Sequence, residues 1–105
     1  MEIEKNLKLT LLFDFYGVLL TEKQQQMFRM YYYDDISLGE IALINNISRQ
    51  AVRDSLKKAE ITLNSFETKL GMLSKYEQTK NLLEKNSSEI SSSFYKKIMK
   101  IWEEN

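Results

Sequence analysis

Hydrophobic residues recur along this chain with helical spacing, and no stretch shows the sustained period-two alternation of a half-buried strand. From residue 7 to residue 19 the apolar side chains predict a first helix with a broad apolar face. Proline is absent and only three glycines occur, so few residues interrupt a helix. The pattern therefore predicts an all-α protein.

The spacing of a capping box predicts the starts of two further helices. Thr21 stands three residues before Gln24, the spacing of a capping box, and predicts a second helix from about Glu22 to Tyr32. Ser37 and Glu40 repeat this spacing and open a short helix, which carries the apolar residues Ile41, Ala42 and Ile44. Such closely spaced starts predict a compact cluster of short helices.

A turn is predicted where Asn45 and Asn46 interrupt the short helix, because asparagine tolerates the left-handed backbone of a tight corner. Ser48 then caps another helix, whose inward stripe is Ala51, Val52, Leu56 and Ala59. Short helix, turn and second helix make a helix-turn-helix over residues 37–59. We expect the small Ala42 where the helices cross and Ile47 plugging the corner.

The second helix of such a motif presents its N-terminal part to the major groove of DNA. Its outward positions are predicted to be Arg49, Gln50, Arg53, Lys57 and Lys58. Arginine and glutamine read the edges of guanine and adenine, and lysine contacts phosphate. These five residues form the candidate nucleic-acid-binding site.

Charge weakens this interpretation. Fifteen basic and fifteen acidic residues leave the chain with a net charge of zero. Residues 48–61 carry four basic and two acidic groups, whereas residues 21–47 carry two basic and four acidic ones. Because nucleic-acid-binding domains usually show a basic footprint, a helix-turn-helix kept only as a protein-interaction scaffold stays open as an alternative.

Beyond the motif, apolar residues alternate spacings of three and four in the manner of a coiled-coil seam: Leu56, Ala59, Leu63, Phe66, Leu70 and Leu73. This seam predicts a helical head over residues 1–61 and a helical tail over 62–105, joined within one continuous helix. Such a seam either packs against the first helix of the same chain or forms a dimer surface. We expect a homodimer whose contact surface is formed by Leu63, Phe66, Leu70 and Leu73. Residues 86–88 predict a break before a last amphipathic helix.

Composition excludes most catalytic classes. The chain has no cysteine and no histidine, so it lacks a thiolate, sulfur ligands for metal and the commonest general base. We expect no enzyme, no metal site and no cofactor. No apolar run reaches the roughly 18 residues that span a bilayer, and the N-terminus lacks the form of a signal peptide. A cytoplasmic binding protein without membrane insertion is the expectation.

Two groups of motifs give the chain a family resemblance. The stretch from residue 20 to residue 56 is similar to region 4 of bacterial sigma factors, in which the start of the recognition helix contacts promoter DNA. By match these contacts fall on Arg49, Gln50 and Arg53. A closer resemblance covers about residues 6–85 through Leu-Leu-Phe-Asp-Phe-Tyr at 11–16, Leu-Leu-Thr-Glu-Lys-Gln at 19–24, Tyr-Tyr-x-Asp-Asp at 31–35, Ser-Leu-Gly-Glu-Ile-Ala at 37–42 and Ser-Arg-Gln-Ala-Val-x-Asp at 48–54. With these motifs the chain resembles the YlxM family of small bacterial helix-turn-helix proteins.

The resemblance implies an all-α fold with a sigma region 4-like helix-turn-helix head and a long C-terminal helical extension. It also implies a cytoplasmic regulatory protein without catalytic residues. Genes of the family typically neighbour that of the signal recognition particle GTPase, which implies that GTPase, or the particle's RNA, as a partner. A DNA-binding transcriptional regulator remains the alternative.

Overall fold

The computed structural model describes residues 3–103, with side chains described for residues 7–103. This part of the chain contains one 3₁₀ turn at Gly17–Leu19, no strand and six α-helices: α1 Ile3–Tyr16, α2 Glu22–Tyr32, α3 Leu38–Asn45, α4 Arg49–Leu70, α5 Met72–Lys85 and α6 Ser92–Glu103. The all-α prediction is confirmed. The helices form two compact units, Met1–Leu70 and Gly71–Asn105.

Side-chain caps lie at the starts of α2, α3 and α4, where the sequence predicts them. The Thr21 hydroxyl accepts the Gln24 backbone N–H at 3.1 Å, and the Gln24 side chain accepts the Thr21 N–H in return. The Ser37 hydroxyl accepts the backbone N–H of Glu40 at 3.1 Å, while Ser48 accepts that of Ala51 at 3.0 Å. Each cap satisfies an N–H group that a helix start leaves unpaired.

The core of the first unit lies where α1, α2 and α3 pack against α4. The Phe13 and Phe28 rings are stacked, with centroids 4.4 Å apart and planes 2° apart. The Tyr16 hydroxyl donates a hydrogen bond to Glu67 Oε1 at 2.7 Å and so ties α1 to α4. The buried apolar residues of this unit are Leu9, Leu12, Phe13, Tyr16, Leu20, Met27, Phe28, Ile41, Ala42, Val52, Leu56, Ala59 and Leu63.

Three consecutive tyrosines at the C-terminal end of α2, the last of them directly after the helix, lie in different surroundings. Tyr31 and Tyr32 are half-buried and pack beside Met27, whereas Tyr33 is exposed. The Tyr33 hydroxyl donates to Asp14 Oδ1 at 3.2 Å. Partial burial, followed by the Asp14 charge and its hydrogen bond, raises the pKa of Tyr33 to about 12.

The junction predicted near residues 61–62 lies within α4, but the seam does not stay on one helix, because α4 ends at Leu70 and Leu73 belongs to α5. Gly71 has φ +64° and ψ 25°, a left-handed conformation that glycine adopts without steric cost, and α5 begins at the next residue. The two compact units divide between Leu70 and Gly71, and the head and tail over residues 1–61 and 62–105 stay a prediction. Helix α5 ends at Lys85 and α6 begins at Ser92, on either side of the break predicted at residues 86–88.

The second unit is a hairpin of α5 and α6. The Tyr76 and Trp102 rings meet edge to face with centroids 6.1 Å apart, and the Tyr95 hydroxyl donates to Glu84 Oε1 at 3.2 Å. Desolvation, followed by the nearby Glu84 carboxylate, raises the pKa of Tyr95. These contacts hold one side of α6 on α5.

We expect the variant Gly17→Ala to lose about 1–3 kcal/mol of free energy of unfolding. A Cβ at residue 17 would meet the Phe13 ring at 2.9 Å, and the stack on Phe28 leaves that ring no room to move. The control is Gly39→Ala, whose Cβ would lie no closer than 3.8 Å to Arg49 Nε. Urea titration checks both variants, and equal stability losses would contradict the packing argument.

The raised pKa of Tyr33 makes stability depend on alkaline pH. Folding favours the neutral hydroxyl, so its contribution is complete below pH 10 and disappears as the pH rises from 10 towards 12. Between these values we expect the wild type to lose more stability than Tyr33→Phe, by less than about 1 kcal/mol because solvent screens the exposed ring. Denaturant titrations of both proteins at pH 8, 10 and 11.5 measure the difference, and parallel losses would refute it.

Candidate nucleic-acid interface

The corner between α3 and α4 is built on Asn46. This residue has φ 54° and ψ 47°, the left-handed conformation expected from the sequence. Its backbone N–H donates to the carbonyl of Leu43 at 3.3 Å, and the N–H of Ile47 donates to the carbonyl of Ala42 at 3.0 Å. The Asn45 side chain donates to the Ile41 carbonyl at 2.9 Å. These bonds satisfy the last carbonyls of α3 as the chain reverses.

Behind this corner lies a compact set of buried side chains, the corner cluster: Met27, Ile41, Ala42, Val52 and Leu56. Ala42 is 6% exposed where α3 approaches α4, and Val52 is completely buried. Both expectations from the sequence are thus confirmed. Because the cluster takes the inward side of α4, the residues on its other side are directed towards solvent.

This outward side is the recognition face, and all five of its predicted members are exposed: Arg49, Gln50, Arg53, Lys57 and Lys58. The structure brings them together along the first three turns of α4. Lys57 and Lys58 also line a surface depression with Asp54 and Ile61. The face thus combines base-reading and phosphate-binding side-chain types on one helix.

Gly39 contributes to the recognition face without belonging to α4. A Cβ built on Gly39 would lie 3.8 Å from Arg49 Nε and 3.9 Å from Arg49 Cδ. The Arg49 side chain therefore passes close to Gly39 of α3, a position that carries no side chain. Sequence reasoning missed this contact, because it treated Gly39 only as part of the helix start.

Asp54 is a second residue of this surface that sequence reasoning had counted only as a charge. The Gln50 Nε2 group donates a hydrogen bond to Asp54 Oδ1 at 2.9 Å. The four-residue spacing of the pair is the available sequence signal, since such residues are neighbours on a helix. The bond orients the Gln50 amide and places a carboxylate among the basic groups.

Large aliphatic side chains stand beside the corner instead of inside it. Leu43 is 83% exposed, Ile44 60% and Ile47 36%. The expectation that Ile47 plugs the corner is wrong, because the corner cluster is already filled from α2, α3 and α4. An exposed apolar patch therefore adjoins the helix-turn-helix.

The four residues predicted to form a dimer surface occupy different environments. Leu63 is completely buried within the chain and Leu73 is 4% exposed, whereas Leu70 is 50% exposed. Phe66 is half-buried, with its ring centroid 5.9 Å from that of Tyr16. Dimerisation through these residues stays a prediction, in which Leu70 offers the most accessible side chain.

Fold and corner together define a helix-turn-helix protein. A family model described as "Putative helix-turn-helix protein, YlxM / p13 like" matches residues 3–101, and the chain belongs to this family, UPF0122. The family description, a helix-turn-helix protein, agrees with a regulator-like, nucleic-acid-binding class.

Curated relatives carry the same family name. A UPF0122 protein of Thermoanaerobacter sp. (strain X514) is 53% identical over 77 residues, which are 73% of this chain and 66% of the relative. Another, from Desulforamulus reducens, is 55% identical over 78 residues, covering 73% and 67%. A third, from Geobacillus kaustophilus, is 45% identical over 89 residues, covering 85% and 81%. Alignment to the first of these thus spans slightly less than two thirds of the relative.

Between residues 3 and 103, no helix has the length and apolar character needed to cross a membrane. Among the side chains of residues 7–103, no group of three or more acidic, cysteine or histidine residues is arranged to hold a metal ion.

The left-handed backbone of Asn46 predicts opposite outcomes for two substitutions. Asn46→Gly retains the stability of the wild type or exceeds it slightly, because glycine adopts positive φ freely. Asn46→Val loses about 1–3 kcal/mol, because a β-branched side chain is strained there. Thermal and urea unfolding compare the three proteins. Equal stability of the valine and glycine variants would show that the corner does not depend on this conformation.

Proposed function

We propose that this protein is a regulatory nucleic-acid-binding protein that uses the recognition face of α4. The observation that supports this most directly is the division of α4 into two sides. Val52 and Leu56 hold one side in the corner cluster, while Arg49, Gln50 and Arg53 lie exposed on the other. A helix held in this way presents its polar side as a rigid surface, which base recognition requires.

Each residue of the face has a distinct chemical role in the proposal. Arg49 and Arg53 donate to guanine edges or to phosphate oxygens, and Lys57 and Lys58 contact the backbone. Gln50 donates one Nε2 N–H to Asp54, so that its second N–H and its Oε1 remain to bond a base. An amide with one donor and one acceptor still matches the N7 and N6 positions of adenine.

The charge balance makes this binding weak when the face acts alone. Residues 48–61 have a net charge of +2, and the whole chain has none. Few phosphates are then neutralised, so the electrostatic part of the affinity is small at physiological salt. We therefore propose that the protein acts within a larger assembly, where other surfaces supplement its affinity.

The signal recognition particle machinery is the assembly that we propose, with the particle's RNA or its GTPase as partner. Support comes from the resemblance to YlxM proteins, whose genes typically neighbour the gene of that GTPase, and from membership in the YlxM / p13-like family. The proposal places the protein in the cytoplasm and gives it no catalytic step.

Two alternatives lead to different measurements. A sequence-specific transcriptional regulator is favoured by Arg49, Gln50 and Arg53 at base-reading positions. A helix-turn-helix that only binds protein is favoured by the exposed Leu43 and Ile44 and by the absence of net charge. Parallel binding assays with the particle's RNA, its GTPase and genomic DNA fragments distinguish these cases.

Charge variants of the recognition face test the proposal. We expect Arg49→Ala plus Arg53→Ala to weaken binding of labelled RNA or duplex DNA at least tenfold and to reduce the slope of log K against log salt by about 2. Asp54→Asn removes a repulsive charge from the same face and strengthens binding a few-fold. Fluorescence anisotropy at several salt concentrations measures all three effects.

The matched control removes two exposed lysines away from α4, Lys8 and Lys23, by alanine substitution. This variant changes the net charge as much as the arginine variant does, but it leaves the recognition face intact. Equal losses in the two double variants would mean that only overall charge matters. A GTPase complex that is insensitive to salt and to all these changes would favour the protein-interaction scaffold.

A further inference from the structure

Helix α6 carries a row of apolar side chains that the hairpin does not cover. This α6 row consists of Phe94, Ile98 and Ile101, at positions i, i+4 and i+7, which lie along one line of a helix. Phe94 is 51% exposed, Ile101 is 75% exposed, and Ile98 is half-buried. The row is therefore accessible at both of its ends.

The remaining apolar residues of α6 face α5 or the interior. Tyr95 bonds to Glu84, Trp102 meets Tyr76 edge to face, and Met99 is 5% exposed. At about 100° per residue, these side chains lie to one side of the α6 row. The row itself spans only about 60° of the helix circumference, which is the width of a helix–helix seam.

Basic residues border the other side of the row. Lys97 lies next to Ile101 around the helix, and Lys96 and Lys100 follow further from the row. All three lysines are exposed, and together with Ser92 and Ser93 they line a surface depression. Because Glu103 is the only acidic residue of α6, the helix has a net charge of +2.

From this arrangement we propose that α6 docks an amphipathic helix of another protein, one with an apolar row bordered by acidic side chains. Phe94, Ile98 and Ile101 pack against the partner's apolar row, with the two helix axes about 8–10 Å apart. Lys97 pairs with the acidic border, as flanking charges do in coiled coils. This inference is independent of the proposed nucleic-acid binding.

Charge and width favour this occupant over three others. A second copy of the chain would bring another lysine-rich α6 against the first, so like charges would meet. A bilayer surface suits a helix with a wide apolar face, and the α6 row is narrow. Nucleic-acid phosphates would pair with the lysines, but they would leave the α6 row uncovered.

Two synthetic helical peptides test the proposal on the full-length protein. One carries leucines at i, i+4 and i+7 with glutamates beside them; the other is identical except that lysines replace the glutamates. Trp102, the only tryptophan of the chain, lies beside the row on α6 and reports binding by its fluorescence. We expect saturable binding of the acidic peptide and at least tenfold weaker binding of the basic one.

Three variants locate the binding. Ile101→Ser weakens binding of the acidic peptide at least tenfold, and Lys97→Glu shifts the preference towards the basic peptide. Leu82→Ser is the matched control, because Leu82 is 65% exposed on the side of α5 away from Glu84. It leaves binding unchanged. Circular dichroism of each variant verifies that these exposed substitutions retain the fold.

Several results would overturn the proposal. These are the absence of saturable binding, equal binding of the two peptides, or equal effects of the Ile101 and Leu82 variants. A dimer mass in sedimentation equilibrium that Ile101→Ser abolishes would identify a second copy as the occupant instead. Binding to phosphatidylglycerol vesicles that the same variant abolishes, without peptide binding, would identify an anionic bilayer.

Discussion

The left-handed backbone at Asn46 is the constraint on which the candidate interface depends. It reverses the chain within a single residue, so that the carbonyl of Ala42 accepts the N–H of Ile47 and α4 starts against α3. That approach buries Val52 in the corner cluster. Burial of one side of α4 then directs Arg49 and Arg53 outward. Backbone geometry, packing and the charged surface therefore follow one from another.

Those parts of the structure that rest on local chemistry were predictable from the sequence. The second helix runs over Glu22–Tyr32 as expected, because its capping box at Thr21 acts within four residues. Asn46 and the exposed arginines were also predictable, since a turn residue and a helical period each depend on near neighbours. The family motifs added the order of the elements. Membership in a helix-turn-helix family agrees with that result.

Features that depend on packing between distant segments were not predictable in this way. The seam spacing continues through Gly71, but a glycine allows either a helix or a left-handed stop, and here α4 ends before it. Leu63 is completely buried within the chain, and the seam spacing alone does not distinguish such packing from a dimer surface. Ile47 is exposed because other side chains fill the corner cluster. The contact of Arg49 with Gly39 likewise arises only when α3 and α4 meet.

Mapping of backbone amide shifts by NMR, on addition of RNA or duplex DNA to the isotope-labelled protein, tests the central claim most directly. The account predicts that the largest changes fall on residues 49–58, at the start of α4, with smaller ones at Gly39. Changes confined to the lysines of α6, or spread evenly over the surface, would contradict it. The absence of any amide shift changes at low salt would also contradict the account, because the exposed side of α4 would then not be a nucleic-acid interface.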